Sequence, residues 1–190
     1  MKNKSMRVQA ILLAVITIIA LSICHPIIGA GAETAGSEAD TTGKKVYFAG
    51  PLFNDAEKDY NLKIVTILES YGYEVFLPQR DGFLAPEIGE MTEEEKTKII
   101  FEKDTKEVLK ADIIFVNLDG RVPDEGACVE LGIGYQAGKR CYGIKNDARA
   151  AELGMDINPM ITGCFTKLFY NLDGEELIKS LEEYLKENEL

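Results

Sequence analysis

From Lys45 onward, short apolar runs take turns with longer stretches in which apolar residues recur every three or four positions. Lys45-Val46-Tyr47-Phe48-Ala49, Tyr73 to Leu77, Asp112 to Leu118, Arg140 to Ile144 and Thr166 to Tyr170 read as five strands. The third is almost continuously apolar, which marks a central strand covered on both faces. Between them lie helical patterns. Asn54 with Glu57, and Thr92 with Glu95, form capping boxes that open helices running to about Tyr71 and Lys110. Asp124 precedes a third helix, and Asp173 starts a terminal one with Leu177, Ile178, Leu181 and Leu185 on one face. Strands alternating with helices at this spacing predict an α/β domain, a three-layer sandwich around a five-stranded parallel sheet with right-handed crossovers. Ligands of such sheets sit beyond the carboxyl ends of the strands, where Ala49-Gly50-Pro51, the Gly- and Pro-rich loop from Pro78 to Met91, and Asp119 to Asp124 should converge.

The first 44 residues do not share this pattern. Lys2, Lys4 and Arg7 precede an uncharged apolar run from Ala10 to Ile23, and Ala30-Gly31-Ala32 follows, the layout of a secretory signal peptide. Export is the expectation, with cleavage after residue 32. At 14 residues the apolar run is short for a membrane span, although retention would leave the protein membrane-anchored. Leu21-Ser22-Ile23-Cys24 loosely resembles a lipoprotein box, with bulky Ile23 where a small residue belongs. Residues 33–44 are small and polar and read as a flexible linker, so one domain of 146 residues spans 45–190.

The chain has 21 basic and 32 acidic residues, and the leader holds three of the basic ones and none of the acidic ones, leaving a net charge of −14 after Ala32. Such a surface repels nucleic-acid polymers and anionic lipid. Cys128, Cys141 and Cys164, odd in number and widely spaced, form no disulfide framework. The single histidine, His25, lies in the leader. Ser-His and Cys-His nucleophile pairs and histidine metal sites are thereby excluded from the domain. Its chemistry must rest on carboxylates, tyrosines and amides.

Two carboxylates stand out in the helical patterns, Glu130 reading otherwise as a solvated residue. Gly126, Glu130 and Gly134 share one helix face, which leaves bare backbone a turn above and a turn below the carboxylate. The glycines read either as room for a ligand or as tight packing of helix on sheet. Asp104 interrupts the stripe Ile100, Asp104, Val108, as a general acid or as a structural carboxylate paired with a lysine. Asp124 is equally an N-cap.

Taken together, Tyr47-Phe48-Ala49-Gly50, Asp104, Asp124, Glu130-Leu131-Gly132 with Gly138-Lys139, and Ile157-Asn158-Pro159-Met160 resemble the nucleoside 2-deoxyribosyltransferase family in order and spacing, over about Lys45 to Leu190. The resemblance implies a flavodoxin-like sheet, homo-oligomers with shared active sites, a deoxynucleoside and a free nucleobase as partners, and no metal or organic cofactor. It places the nucleophile on Glu130, its orienting hydrogen bond on Tyr47, an acid near the base on Asp104, and sugar contacts on Asp124 and, from a neighbouring subunit, Asn158. Gly50 and Gly126 fall in the substrate-binding segments, and Gln79 or Asp81 falls near the base.

The implied reaction is transfer of 2-deoxyribose between nucleobases through a covalent glutamyl ester, consistent with a pair of carboxylates acting on a glycosidic carbon. Related hydrolases of deoxynucleoside 5′-monophosphates carry serine at the position of Asp124, so the carboxylate here points to unphosphorylated nucleosides. The leader departs from the family, whose members are generally cytosolic. Water as acceptor, or a non-catalytic exported nucleoside-binding domain, are the alternatives.

Overall fold

The computed structural model describes residues 43–83, 89–149 and 155–190. The leader, most of the linker and part of the loop between Pro78 and Met91 lie outside the described residues. Five strands, β1 (Lys45–Ala49), β2 (Glu74–Phe76), β3 (Ile113–Asn117), β4 (Arg140–Lys145) and β5 (Lys167–Tyr170), form one sheet in the order β2-β1-β3-β4-β5. All four pairings are parallel. This is the doubly wound arrangement in which the strand order reverses between β1 and β3, the point at which such sheets open a crevice at their carboxyl edge.

Alternation along β1 decides which face each side chain serves. Val46 and Phe48 point to one side and pack with Ile113 and Phe115 against Ile64, Val65 and Leu68 of α1 (Asp55–Ser70) and Leu177 and Leu181 of the terminal helix α6 (Gly174–Glu187). Tyr47 and Ala49 point to the other side, with Ile114 and Val116, toward Val108 of α3 (Glu93–Lys110) and Leu131 of α4 (Glu125–Gln136). Every residue of β3 is buried, as expected of a strand covered on both faces.

The expected capping groups are in place, save that the Glu57 carboxylate accepts from Phe53 N and leaves the Asn54 box half made. Thr92 and Glu95 make the full reciprocal box at the start of α3, Asn54 Oδ1 accepts from Glu57 N, and Asp173 caps α6. At the far end of α4, Gly138 takes φ 75°, with its N–H on the Tyr135 carbonyl and the Lys139 N–H on the Gly134 carbonyl. That left-handed cap needs glycine, so Gly138-Lys139 serves to end the helix.

Two short helices stand where the sequence pattern shows only loop. Pro78–Asp81 forms α2, since Pro78 sits at a first helical turn where its missing N–H costs nothing. Pro159–Thr162 forms α5 in the same way, capped by Asn158.

Candidate active site

Glu130 projects from the middle of α4 toward β1. Its Oε1 accepts a 2.6 Å hydrogen bond from the Tyr47 hydroxyl. Tyr47 is fully buried and stacks on Phe76 of β2, with ring centroids 5.5 Å apart. Burial and the neighbouring Glu130 and Asp104 carboxylates push its phenol far above the ordinary range, so it remains a hydrogen-bond donor at any physiological pH.

Burial also raises Glu130, to about 7; the Tyr47 hydrogen bond opposes the rise, and the charges of Asp104 and Asp124 add to it. Asp104, half-buried on α3, is pushed up to about 6, again chiefly by burial, with Lys103 opposing and Glu107 adding. Asp124 caps α4, its Oδ1 accepting from Ala127 N at 2.8 Å. The structure therefore gathers Tyr47, Asp104, Asp124 and Glu130 into one electrostatically connected group between β1 and α4. Two carboxylates raised by burial, with the charge of Asp104 adding to the rise at Glu130, are what acid and nucleophile roles at a glycosidic carbon require.

The glycines of α4 differ in their surroundings. A Cβ on Gly134 would lie 2.3 Å from Ile114 Cγ1, so this glycine serves packing of helix on sheet. Gly126 is exposed, and its nearest neighbour would be the Asp124 carboxylate of its own cap, at 3.1 Å. Gly50 lets the end of β1 lie against β3, where a Cβ would meet Asn117 Cβ at 2.9 Å.

Gln79 and Asp81 follow β2. The Asp81 carboxylate accepts from Leu77 N and pairs with Arg80, which holds its titration below the usual carboxylate range against the opposing effect of burial. Gln79 is half-buried and hydrogen-bonded on both ends of its carboxamide, to Asn61 Nδ2 and to the Lys58 carbonyl. Asn158 is exposed, and its Oδ1 accepts from Met160 N. It lines a cavity of about 480 Å³ together with Leu118, Glu125, Cys128, Lys145 and Ile161. Glu125 and Cys128 lie five and two residues before Glu130, which at about 100° per residue puts them on the opposite flank of α4. Asn158 is thus grouped with the side of α4 that turns away from Glu130 of its own chain.

Asn61, Asn117 and Lys145 are the buried polar side chains of the described core, and no motif in the sequence pointed to them. Asn61 occupies the buried stripe of α1 with Ile64, Val65 and Leu68, and Asn117 closes the apolar run of β3. A polar residue within each apolar pattern was the available signal. Lys145 Nζ donates to the carbonyls of Asp147 and Arg149 and so secures the turn after β4.

Residues 46–187 match the family model for nucleoside 2-deoxyribosyltransferase, and the chain belongs to that family. Among solved structures, it resembles a 2-deoxyribosyltransferase from Bacillus psychrosaccharolyticus, at 28% identity and TM-score 0.58 over 74% of this chain and 91% of that one. A conserved protein from Enterococcus faecalis (23% identity, TM-score 0.61, 77% and 99% covered) shares the fold. So does a CMP N-glycosidase from Clostridium botulinum (19% identity, TM-score 0.51, 74% and 99% covered). No curated protein matches the chain. The five-stranded parallel sheet is that of the deoxyribosyltransferase neighbours, and the family places the chain among deoxyribosyltransferases and N-glycosidases acting on nucleosides and nucleobases.

Proposed function

We propose that the protein transfers 2-deoxyribose between nucleobases through a covalent ester on Glu130. The observation that carries this is the 2.6 Å hydrogen bond by which Tyr47 holds Glu130 Oε1, within reach of the charges of Asp104 and Asp124. With Oε1 held, Oε2 attacks C1′ of the sugar. The C1′–N bond breaks, its electron pair leaves with the base, and Asp104 supplies the proton the departing nitrogen takes up. An incoming base then attacks C1′, the C1′–Oε2 bond breaks with its electron pair returning to Glu130, and the base's proton passes to the Asp104 carboxylate, with net retention. Asp124 Oδ1 is committed to the helix cap, and its Oδ2 is the oxygen proposed to meet the sugar.

Asn158 lies on the flank of α4 away from its own Glu130, which supports a shared site in which it serves the sugar of a neighbouring subunit. Exposed Val122, Val129, Met155 and Met160 offer an apolar surface for such an assembly. The leader is proposed to direct export, and water replaces the acceptor base where free bases are scarce. Incubating purified protein with deoxyinosine and free adenine, with products separated by chromatography, tests the reading. Deoxyadenosine and hypoxanthine are expected, and the absence of any released base refutes both transfer and hydrolysis.

A further inference from the structure

Three carboxamides run in a chain under the crevice between β1 and β3. The Asp119 N–H donates to Asn117 Oδ1 at 3.0 Å, Asn117 Nδ2 donates to Asn61 Oδ1 at 2.8 Å, and Asn61 Nδ2 donates to the Pro51 carbonyl at 2.7 Å and to Gln79 Oε1 at 3.2 Å. Gln79 Nε2 in turn donates to the Lys58 carbonyl at 2.9 Å. Carboxamide oxygen and nitrogen are close to the same size, so the orientation of one amide is ordinarily ambiguous. Here the ends remove the ambiguity. A backbone N–H can only donate, and the carbonyls of Pro51 and Lys58 can only accept. Each intervening amide therefore has one orientation that satisfies both neighbours. Both Asn61 and Asn117 are 1% exposed, so a reversed amide would leave buried groups unpaired.

The consequence falls on Gln79, the one half-buried member. Its Oε1 is committed to Asn61 and one Nε2 hydrogen to Lys58, leaving one lone pair and one N–H in fixed places. We propose that Asn61, held in orientation by Asn117, is a positioning residue that sets the hydrogen-bonding polarity Gln79 presents to the nucleobase, and so decides between bases bearing an amino group and bases bearing a carbonyl at the recognised edge. This rests on the deoxyribosyltransferase reading above, extended to Gln79 as a residue that faces the base. An aspartate at position 61 accepts from Asn117 but cannot donate to Gln79. The Gln79 carboxamide then turns over to offer Nε2 to the carboxylate, a charged acceptor stronger than the Lys58 carbonyl it gives up, and its free donor and acceptor exchange places.

The test compares wild type, Asn61→Asp and Asn117→Asp, the last reaching Gln79 only through Asn61. Affinities for free adenine against hypoxanthine, and for cytosine against uracil, are measured by titration calorimetry, alongside kcat/KM for the matching deoxynucleosides. A change of tenfold or more in the amino-to-carbonyl preference of at least one pair is expected in each folded variant. A merely structural role weakens both members of a pair alike, and a preference within twofold of wild type overturns the proposal. Binding is read separately from turnover, so a wild-type protein that binds bases without exchanging them defeats the transferase reading and leaves the polarity test standing. A wild-type protein that binds no base overturns both. Should neither variant fold, the Gln79 side-chain amide resonance of the wild type decides, since it must shift on addition of the preferred base; an unmoved resonance overturns the proposal.

Discussion

Tyr47 and Glu130, 83 residues apart in sequence, meet in a 2.6 Å hydrogen bond between the middle of β1 and the middle of α4. The bond favours the ionised carboxylate against the burial that disfavours it. Tyr47→Phe is therefore expected to lower kcat by roughly 10- to 100-fold, since a charge-assisted hydrogen bond is worth about 1.5–3 kcal/mol. It should also move the alkaline limb of the pH–rate profile upward, because with Glu130 titrating above Asp104 that limb follows Glu130. Steady-state kinetics over pH 5 to 8.5 check both, and an unmoved limb contradicts the assigned role.

The pH dependence of the wild type follows from the two raised carboxylates. The proposed transfer needs Glu130 ionised and Asp104 protonated, and the two groups are lifted to about 7 and about 6. The productive form is thus the minority protonation state, populated best near pH 6.5, about midway between the two values. A bell-shaped kcat/KM profile centred there is expected, its limbs belonging to the pair. Asp104→Asn should remove the alkaline limb, read with an activated nucleoside whose leaving group needs no proton.

Stability should show the converse. Glu130 titrates higher in the folded protein than its ordinary 4.5, so the folded state binds the extra proton, and stability is lost as pH rises from about 4.5 through about 7. Glu130→Gln keeps the shape and removes the charge. It should abolish transfer and raise Tm by a few degrees at pH 8, at most about 3 kcal/mol, with the gain fading below pH 5. Thermal unfolding at the two pH values decides, and an equal gain at both would show that charge burial is not its source.

Asp124 bears on phosphorylated substrates. A carboxylate about 4 Å from a phosphate costs roughly 4 kcal/mol at an effective dielectric of 20. Deoxyadenosine should be preferred over its 5′-monophosphate, and Asp124→Ser should narrow the gap. Serine can keep the cap on Ala127 N, so folding should change by less than about 1 kcal/mol. Comparable kcat/KM for the two substrates in wild type would refute the placement.

If Asn158 completes a neighbour's sugar site, mixing Glu130→Ala and Asn158→Ala chains should restore part of the activity that each lacks alone, because a mixed interface can pair an intact Glu130 with an intact Asn158. No rescue in a mixture shown to exchange subunits would place Asn158 outside any shared site.

The alternation of Val46, Tyr47, Phe48 and Ala49, the fully apolar β3 and the capping pairs at Asn54 and Thr92 were enough to read the sheet and its main helices from the sequence. Each is a local pattern with one physical solution. Glu130 stood out for a similar reason, as a charge among helix-breaking residues. What the sequence could not resolve was which glycine faced what. Gly134 lies against Ile114 and Gly126 lies open, a difference set by the tilt of α4 over the sheet and by no local preference. The Asn61–Asn117 pair was hidden for another reason. Its meaning lies in a contact between residues 56 apart, and each taken singly is one polar residue in an apolar pattern.

The contact between Gly134 and Ile114 has a consequence for anyone seeking to harden this protein. Alanine is the usual replacement for a helical glycine, and at an open position such as Gly132 it should add close to 1 kcal/mol. At Gly134 the same methyl would drive into the branch of Ile114 and lift α4 from the sheet one turn beyond Glu130. The reach of the carboxylate toward Tyr47 is thus gauged by an atom that is missing, and a stabilising screen blind to this would select sturdier helices that have lost their alignment.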